Sequence, residues 1–399
     1  MQGNGLLNIT TCITLQMFSM NITVKENGSD MKLNVVSFDI PYPPDYGGVI
    51  DIYYKIKALN SAGIKIHLHC FYYGRKKSFK LESICSNINY YRRYRNPLHY
   101  FSKQPFIVRT RTSKQLIINL LNNDSPILFE GLHSCFYLTD PRLKNRKKIV
   151  RTHNVEHNYY NKIAQAEPNL FKKKYFISEG RKLREFEKRL EQADIIASIS
   201  ESDTAYFSSM YSGVVHTPVF HGNESVNIKT GKGDYALYHG NLAVPENENA
   251  ALYLVHKVFN DINVKLIISG RKPSNRLLTA VNKTSNVLIE PDIPSADLIN
   301  LINNAQINIL PTSQSTGIKL KLINTLYNGR HCIVNSKMIT DKGIDECCIV
   351  ADSAEQMKKA VLEYANRELS SKNTINRIKI LENNYSNTKN ADNLISKVF

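Results

Sequence analysis

The 399-residue chain lacks any apolar run near the roughly 18 to 20 residues that a membrane-spanning helix needs, which excludes a helical integral membrane protein. Its seven cysteines are odd in number and scattered without regular spacing, so they read as free thiols of a reducing compartment. The opening stretch GLLNITTCITLQMFSM has neither the basic flank nor the small-residue cleavage site of a secretory leader. These absences predict a cytoplasmic protein. Acidic residues are also scarce, 35 Asp+Glu against 52 Lys+Arg, for a formal charge of +17. With 42% hydrophobic and 22% charged residues the chain is neither disordered nor fibrous, and it has room for two domains.

Short β-branched runs alternate with longer amphipathic stretches. LNVVSF (33–38), IKIHLHCF (64–71), PILFEG (126–131), KKIVRTHN (147–154) and ADIIASIS (193–200) predict strands, with helical patterns at 49–63 and 177–192. A second series begins at YALYHG (235–240) and includes VKLIISG (264–270), NVLIEP (286–291) and INIL (307–310). Alternation of this kind implies βαβ units around parallel sheets, hence an α/β protein of two tandem Rossmann-like, doubly wound domains with a cleft between them. The expected boundaries are a poorly ordered extension at 1–30, an N-terminal domain at 31–222 and a linker at 223–234. A C-terminal domain at 235–375 and a helical segment at 376–399, packing back on the N-terminal domain, complete the chain.

Two features bear on ligands. NILPTSQSTGIKLKLINTLYNGR (308–330) places Lys319 and Lys321 at the start of an apolar helix, where the helix dipole repels cations unless an anion shares the site. In DIPYPPDYGGVIDIYY, Gly47 and Gly48 precede a helix just after the first strand, so backbone can approach a ligand closely there.

In combination, DIPYPPDYGGVIDIYYKIKALNSAGIKIHLHCF, YHGNLAVPENENAA, IISGRKPS and PTSQSTGIKLKLINTLYNG resemble, in order and spacing, the signatures of GT-B glycosyltransferases of the family 4 type in bacterial polysaccharide biosynthesis. The resemblance implies a nucleotide diphosphate sugar as donor, a glycan or lipid-linked acceptor, retention at the anomeric carbon, and no metal or cofactor. By position, Lys319 and Lys321 would meet the phosphates, Gly317 would let the backbone come close, and Asn324 would face the ribose. Thr316 would face the sugar, while Gly47, Gly48, Gly240, Asn241 and Arg271 complete the donor set. This chain departs from the family at Thr316 and Asn324, where glutamates are usual, and at GNLAVPEN, which lacks the usual Arg and Lys pair. Charge neutralisation then falls mainly to Lys319 and Lys321.

His133 and His153 sit at or beyond the ends of predicted strands. The resemblance makes His133 the candidate for contacting the reactive sugar, and His153, Asn154 and Glu156 candidates for the acceptor. HNVEH (153–157) also matches a zinc-peptidase pattern, but that pattern needs both histidines inside one helix, and His153 follows a strand. His67 and His69 share a strand face, as alternation alone would place them.

The positive charge is uneven: residues 31–222 hold 30 Lys+Arg against 16 Asp+Glu, and residues 223–399 hold 21 against 17. It gathers in YYGRKKSFK, YYRRYRNPLHYFSK, RLKNRKK and FKKKYF, interleaved with aromatics. Such patches suit an anionic membrane surface, which predicts a peripheral enzyme on the inner face of the cytoplasmic membrane. They equally suit nucleic acid, and a nucleic-acid-binding protein is the main alternative, with a zinc metallopeptidase the remote one. The glycosyltransferase reading accounts for the motifs of both halves and expects no nucleic-acid partner.

Overall fold

A computed structural model describes residues 31–313 and 319–399. The extension at 1–30, together with Thr316 and Gly317, lies outside the described residues. Seven parallel strands form the first sheet: β1 (Lys32–Ser37), β2 (Lys65–Tyr72), β3 (Asn87–Arg92), β4 (Ile127–Glu130), β5 (Lys148–Thr152), β6 (Ile195–Ser198) and β7 (Val214–His216), in the order β3-β2-β1-β4-β5-β6-β7. The second has β8 (Ala236–His239), β9 (Leu266–Gly270), β10 (Val287–Pro291), β11 (Ile307–Leu310), β12 (His331–Val334) and β13 (Ile349–Val350), in the order β10-β9-β8-β11-β12-β13.

The central strands β4, β5, β6, β8, β11 and β12 are buried along their whole length, because helices cover both faces of each sheet. That is why they read as continuous apolar runs. The strands missed by sequence are β3, β7, β12 and β13; β3, β7 and β13 are outer ones, and β12 is a central strand of only four residues, HCIV. NINYYR (β3) carries one side of a basic and aromatic segment, and its polar residues hide the strand pattern.

Strand order reverses between β1 and β4 in the first sheet and between β8 and β11 in the second. Such switch points open a crevice at the carboxyl ends of the strands, where ligands bind. Residues between β7 and β8 form no helix or regular strand as they carry the chain from one sheet to the other. The chain later returns: helix Asn387–Val398 buries Ala391, Leu394 and Val398 against Ile56 and Leu59 of helix Gly47–Ser61. Two crossings of this kind tie the sheets together beside the cleft.

Candidate functional site

The loop after β1 feeds helix Gly47–Ser61, whose first residues are the two glycines. At Gly48 a side chain would have to displace the Phe38 ring, since a Cβ there would stand 2.6 Å from Phe38 Cζ. A Cβ on Gly47 would meet Leu320 Cδ1 at 3.8 Å, so the glycine turn lies against the start of helix Leu320–Asn328 from the other domain. Two helix N-termini therefore adjoin across the cleft, a concentration of N–H donors and positive dipole ends suited to an anion.

Lys319 is the N-cap of the 320–328 helix and Lys321 its second residue. Burial draws Lys319 down to about 8 against the pull of Glu246, and burial also lowers Lys321. Lys321 Nζ donates to Asn247 Oδ1 at 3.2 Å and lies 5.5 Å from the centre of the Tyr238 ring. Both ammonium groups are thus partly desolvated, and an arriving anion would regain charge stabilisation that water supplies elsewhere. His239 at the end of β8 pins the same helix through Nε2, 3.0 Å from Thr325 Oγ1.

A cavity of about 640 Å³ opens along the later turns of the lysine helix, at Asn324 and Asn328. Gly240 and Asn241 after β8, Arg271 after β9 and Asn324 on the lysine helix all line it, opposite Asp45 and Ile50 of the first domain. Four of the predicted donor residues, Gly240, Asn241, Arg271 and Asn324, thus share one cavity, whereas Gly47, Gly48, Lys319 and Lys321 lie outside its lining. Asn324 Oδ1 accepts from Asn223 Nδ2 at 2.9 Å, and Asn328 Nδ2 donates to Asn223 Oδ1 at 2.9 Å. The interdomain segment is thereby latched to the lysine helix, a contact that no local sequence pattern signals.

On the first domain, His133 stands in the turn after β4, reached through Gly131 at φ 67°, and its ring centre is 5.2 Å from that of Phe38. Burial, reinforced by Arg111, lowers His133 well below the usual imidazole value, so the ring is neutral. His153 turns inward: its Nε2 is 3.2 Å from Glu130 Oε2. Asn154 follows in the loop, and Glu156 begins helix Glu156–Ala166 with its side chain buried.

Beneath these residues lies a fully buried ion network. Lys55 Nζ is 2.9 Å from Asp51 and 2.8 Å from Glu130, and Arg151 Nη2 is 2.8 Å from Asp51. Arg151 also donates to the carbonyls of Thr217 and Pro218, and Asp51 Oδ1 accepts from Phe220 N at 2.9 Å. Burial would raise Asp51, but Arg151 and Lys55 outweigh it and hold the carboxyl below its ordinary range. The network joins the glycine-loop helix, β4, β5 and the interdomain segment into one unit. Asp51, Glu130 and His153 could by spacing hold a cation, yet Lys55 already contacts both carboxylates, and with Arg151 the two acids are balanced.

The HNVEH motif does not assemble as a metal centre among the described residues. His153 faces Glu130, whereas His157 Nδ1 is 3.3 Å from Glu187 Oε2, so the two rings are committed to different carboxylates. His69 is likewise spent, on Tyr91 Oη at 2.8 Å. Sequence reasoning missed the groups that share the field of Lys319, namely Lys162, Asp203 and Glu246. They come from three separate helices, and only the fold brings them near.

No protein-family model matches the chain. It is 25% identical over 385 residues, 90% of this chain and 97% of the relative, to an uncharacterised 44.6 kDa protein in the cps region of Klebsiella pneumoniae. Among solved structures, TarM from S. aureus in complex with UDP and alpha-GlcNAc-glycerol matches with a TM-score of 0.63 at 9% identity, over 92% of this chain and 99% of that one. HepE from Anabaena in complex with UDP and glucose matches with a TM-score of 0.61 at 9% identity, over 92% and 99% of the two chains. A glycosyltransferase from Rickettsia africae matches with a TM-score of 0.58 at 13% identity, over 92% and 98%. The shared architecture is the two-domain GT-B fold.

Proposed function

We propose that the protein is a glycosyltransferase that moves a sugar from a nucleotide diphosphate sugar to a hydroxyl of a glycan or lipid-linked acceptor, with retention, in cell-surface polysaccharide assembly. The observation that carries this reading is the pair of half-buried lysines at a helix N-terminus whose first residue, Leu320, lies against the Gly47–Gly48 helix start across the interdomain cleft. As the bond from the anomeric carbon to the β-phosphate oxygen breaks, charge collects on the diphosphate. Lys319, Lys321 and the two helix starts are fixed where that charge develops, so they need little reorganisation. The cavity edge at Arg271 and Asn324 takes the nucleoside, and neutral His133 offers its ring to the sugar. The relative in a cps region supports the polysaccharide context, and the UDP complexes of TarM and HepE support the donor class. Release of nucleoside diphosphate from a panel of nucleotide sugars, with envelope lipid extract as acceptor, tests the activity.

Lysines and helix N-termini here take the part that a divalent ion takes in other transferases. Transfer is therefore expected to continue at full rate in excess EDTA. Loss of activity on chelation, restored by one added divalent ion, would contradict the assignment.

The acceptor side is proposed to dock on anionic lipid. No helix among the described residues is long and apolar enough to cross a membrane. Phe101 is 88% and Phe171 85% exposed, and their segments meet where Tyr100 and Tyr175 lie 5.5 Å apart. Exposed Lys103, Lys172 and Lys174 lie within three residues of these phenylalanines along the chain. Exposed apolar residues with cations close in the chain match an anionic interface, each cation contributing about 1 kcal/mol near the lipid. Arg92 and Arg95 stack on Tyr94 and Tyr73 at the neighbouring edge, whereas Arg93 turns in to donate to Thr110 Oγ1 at 2.9 Å. Co-sedimentation with vesicles containing anionic lipid is expected at low salt, falling when Phe101 and Phe171 become serine or when salt rises. Equal binding to neutral vesicles would rule docking out.

A further inference from the structure

Glu156 has no role in the donor site, yet its carboxyl is buried beside His133, with Oε1 3.8 Å from Nδ1. Among the described residues no lysine or arginine pairs with it. Arg111, whose charge reaches it, donates from Nε to the Phe38 carbonyl at 2.8 Å and from Nη1 to the Ile107 carbonyl at 2.6 Å. Two other carboxyls face Glu156: Glu187, which is bonded to Tyr206 and His157, and Asp203 on helix Glu201–Ser208. The phenols of Tyr159 and Tyr160 complete its surroundings. A second or third anion in this pocket is disfavoured by burial and by like charge, so the acid form prevails.

His133 shows the complementary need. Its Nδ1 is buried without a hydrogen-bond partner, while the side chain as a whole keeps 22% of its surface exposed. The edge that reaches solvent is therefore the Nε2 side. Arg111, Arg93 and His153 face the ring and disfavour its protonation.

We infer that Glu156 is a positioning residue: as a carboxylic acid it donates O–H to His133 Nδ1, which fixes the imidazole as the tautomer with its proton on Nε2, pointing to the reacting sugar. The gap of 3.8 Å exceeds a hydrogen bond by about 1 Å, and contacts of this kind tighten when substrate fills a site. Were Glu156 ionised, it would accept from Nδ1–H instead, and the ring would present a bare Nε2 to the sugar. A sugar hydroxyl or ring oxygen that needs a donor would then lose it. Burial, together with Glu187 and Asp203, pushes Glu156 up to about 8, which places the reversal just above neutral pH. This inference rests on the proposed transfer reaction, but its first test does not.

In the free protein labelled with 15N-histidine, His133 signals, identified by their disappearance in His133→Asn, are expected to report the Nε2–H tautomer at pH 6.5 and Nδ1–H well above pH 8. Glu156→Gln should remove that change, because an amide donates at every pH. At saturating donor, the wild-type kcat is expected to fall about tenfold per pH unit above the transition. Glu156→Gln should abolish this limb while keeping kcat at neutral pH within about threefold, because it restores the donor to Nδ1. Glu156→Leu should lower kcat about tenfold or more with little change in KM, since the lost bond acts on the reacting sugar. A proton on Nδ1 at pH 6.5, or an alkaline limb unchanged in Glu156→Gln, overturns the inference. If the tautomer behaves as stated and no nucleotide sugar binds, the reaction assigned to the protein fails and the pairing stands.

Discussion

Lys319→Ala and Lys321→Ala are each expected to weaken nucleoside diphosphate binding by roughly 10- to 150-fold, the loss of one charge-assisted contact of about 1.5 to 3 kcal/mol. Both side chains are half-buried at the start of one helix, so alanine there leaves the helix intact and relieves a partly desolvated charge. Thermal unfolding of the free variants should match or exceed the wild type, which separates a binding loss from a folding loss. The pH dependence has a definite sign. Lys319 is depressed to about 8 in the free protein, and a bound diphosphate would raise it again, so the protonated form binds more tightly. Affinity should be level below about pH 8 and fall by up to about tenfold per unit above it, and Lys319→Ala should flatten that fall. Donor affinity unchanged in both variants would remove the diphosphate from this helix.

Lys55→Met is expected to cost about 3 to 5 kcal/mol, because it leaves Asp51 and Glu130 buried with Arg151 as the one remaining counter-charge of the network. For a domain of this size that lowers the melting temperature by roughly 6 to 20 °C. Because Lys55 belongs to the glycine-loop helix and Arg151 grips the interdomain segment, donor affinity should fall with stability. A variant that melts within a degree or two of the wild type, at neutral pH, would show that the network contributes little.

The sheets and the lysine pair were legible because both write themselves locally. Central strands buried on two faces must be apolar throughout, and LNVVSF and ADIIASIS announce β1 and β6 within a few residues. Lys319 and Lys321 stood out because they oppose the dipole of their own helix, a conflict visible in one turn of sequence. What stayed hidden was separated along the chain. Asp51 and Lys55 are an ordinary i,i+4 pair, but the other members of their network, Glu130 and Arg151, lie 75 residues from Lys55 and 100 from Asp51. Asn223 reaches Asn324 only because the interdomain segment folds back onto the lysine helix. The reading of His153 as an acceptor contact also lacked geometry. At a strand end either side of the sheet is open to a side chain, and this one points at Glu130. HNVEH showed the same limit in reverse, since spacing in sequence gave two histidines that end on separate carboxylates.

The most direct test of the account is thermal unfolding of the purified protein across a panel of nucleoside diphosphates and their sugars, run beside the Lys319→Ala/Lys321→Ala double variant. At a hundred times its dissociation constant, a ligand bound only to the folded state adds about 2.7 kcal/mol, or roughly 3 °C for a protein of this size. At least one nucleoside diphosphate should produce that shift in the wild type and little or none in the double variant. No shift with any member of the panel, or an equal shift in both proteins, would contradict a diphosphate site at the lysine helix.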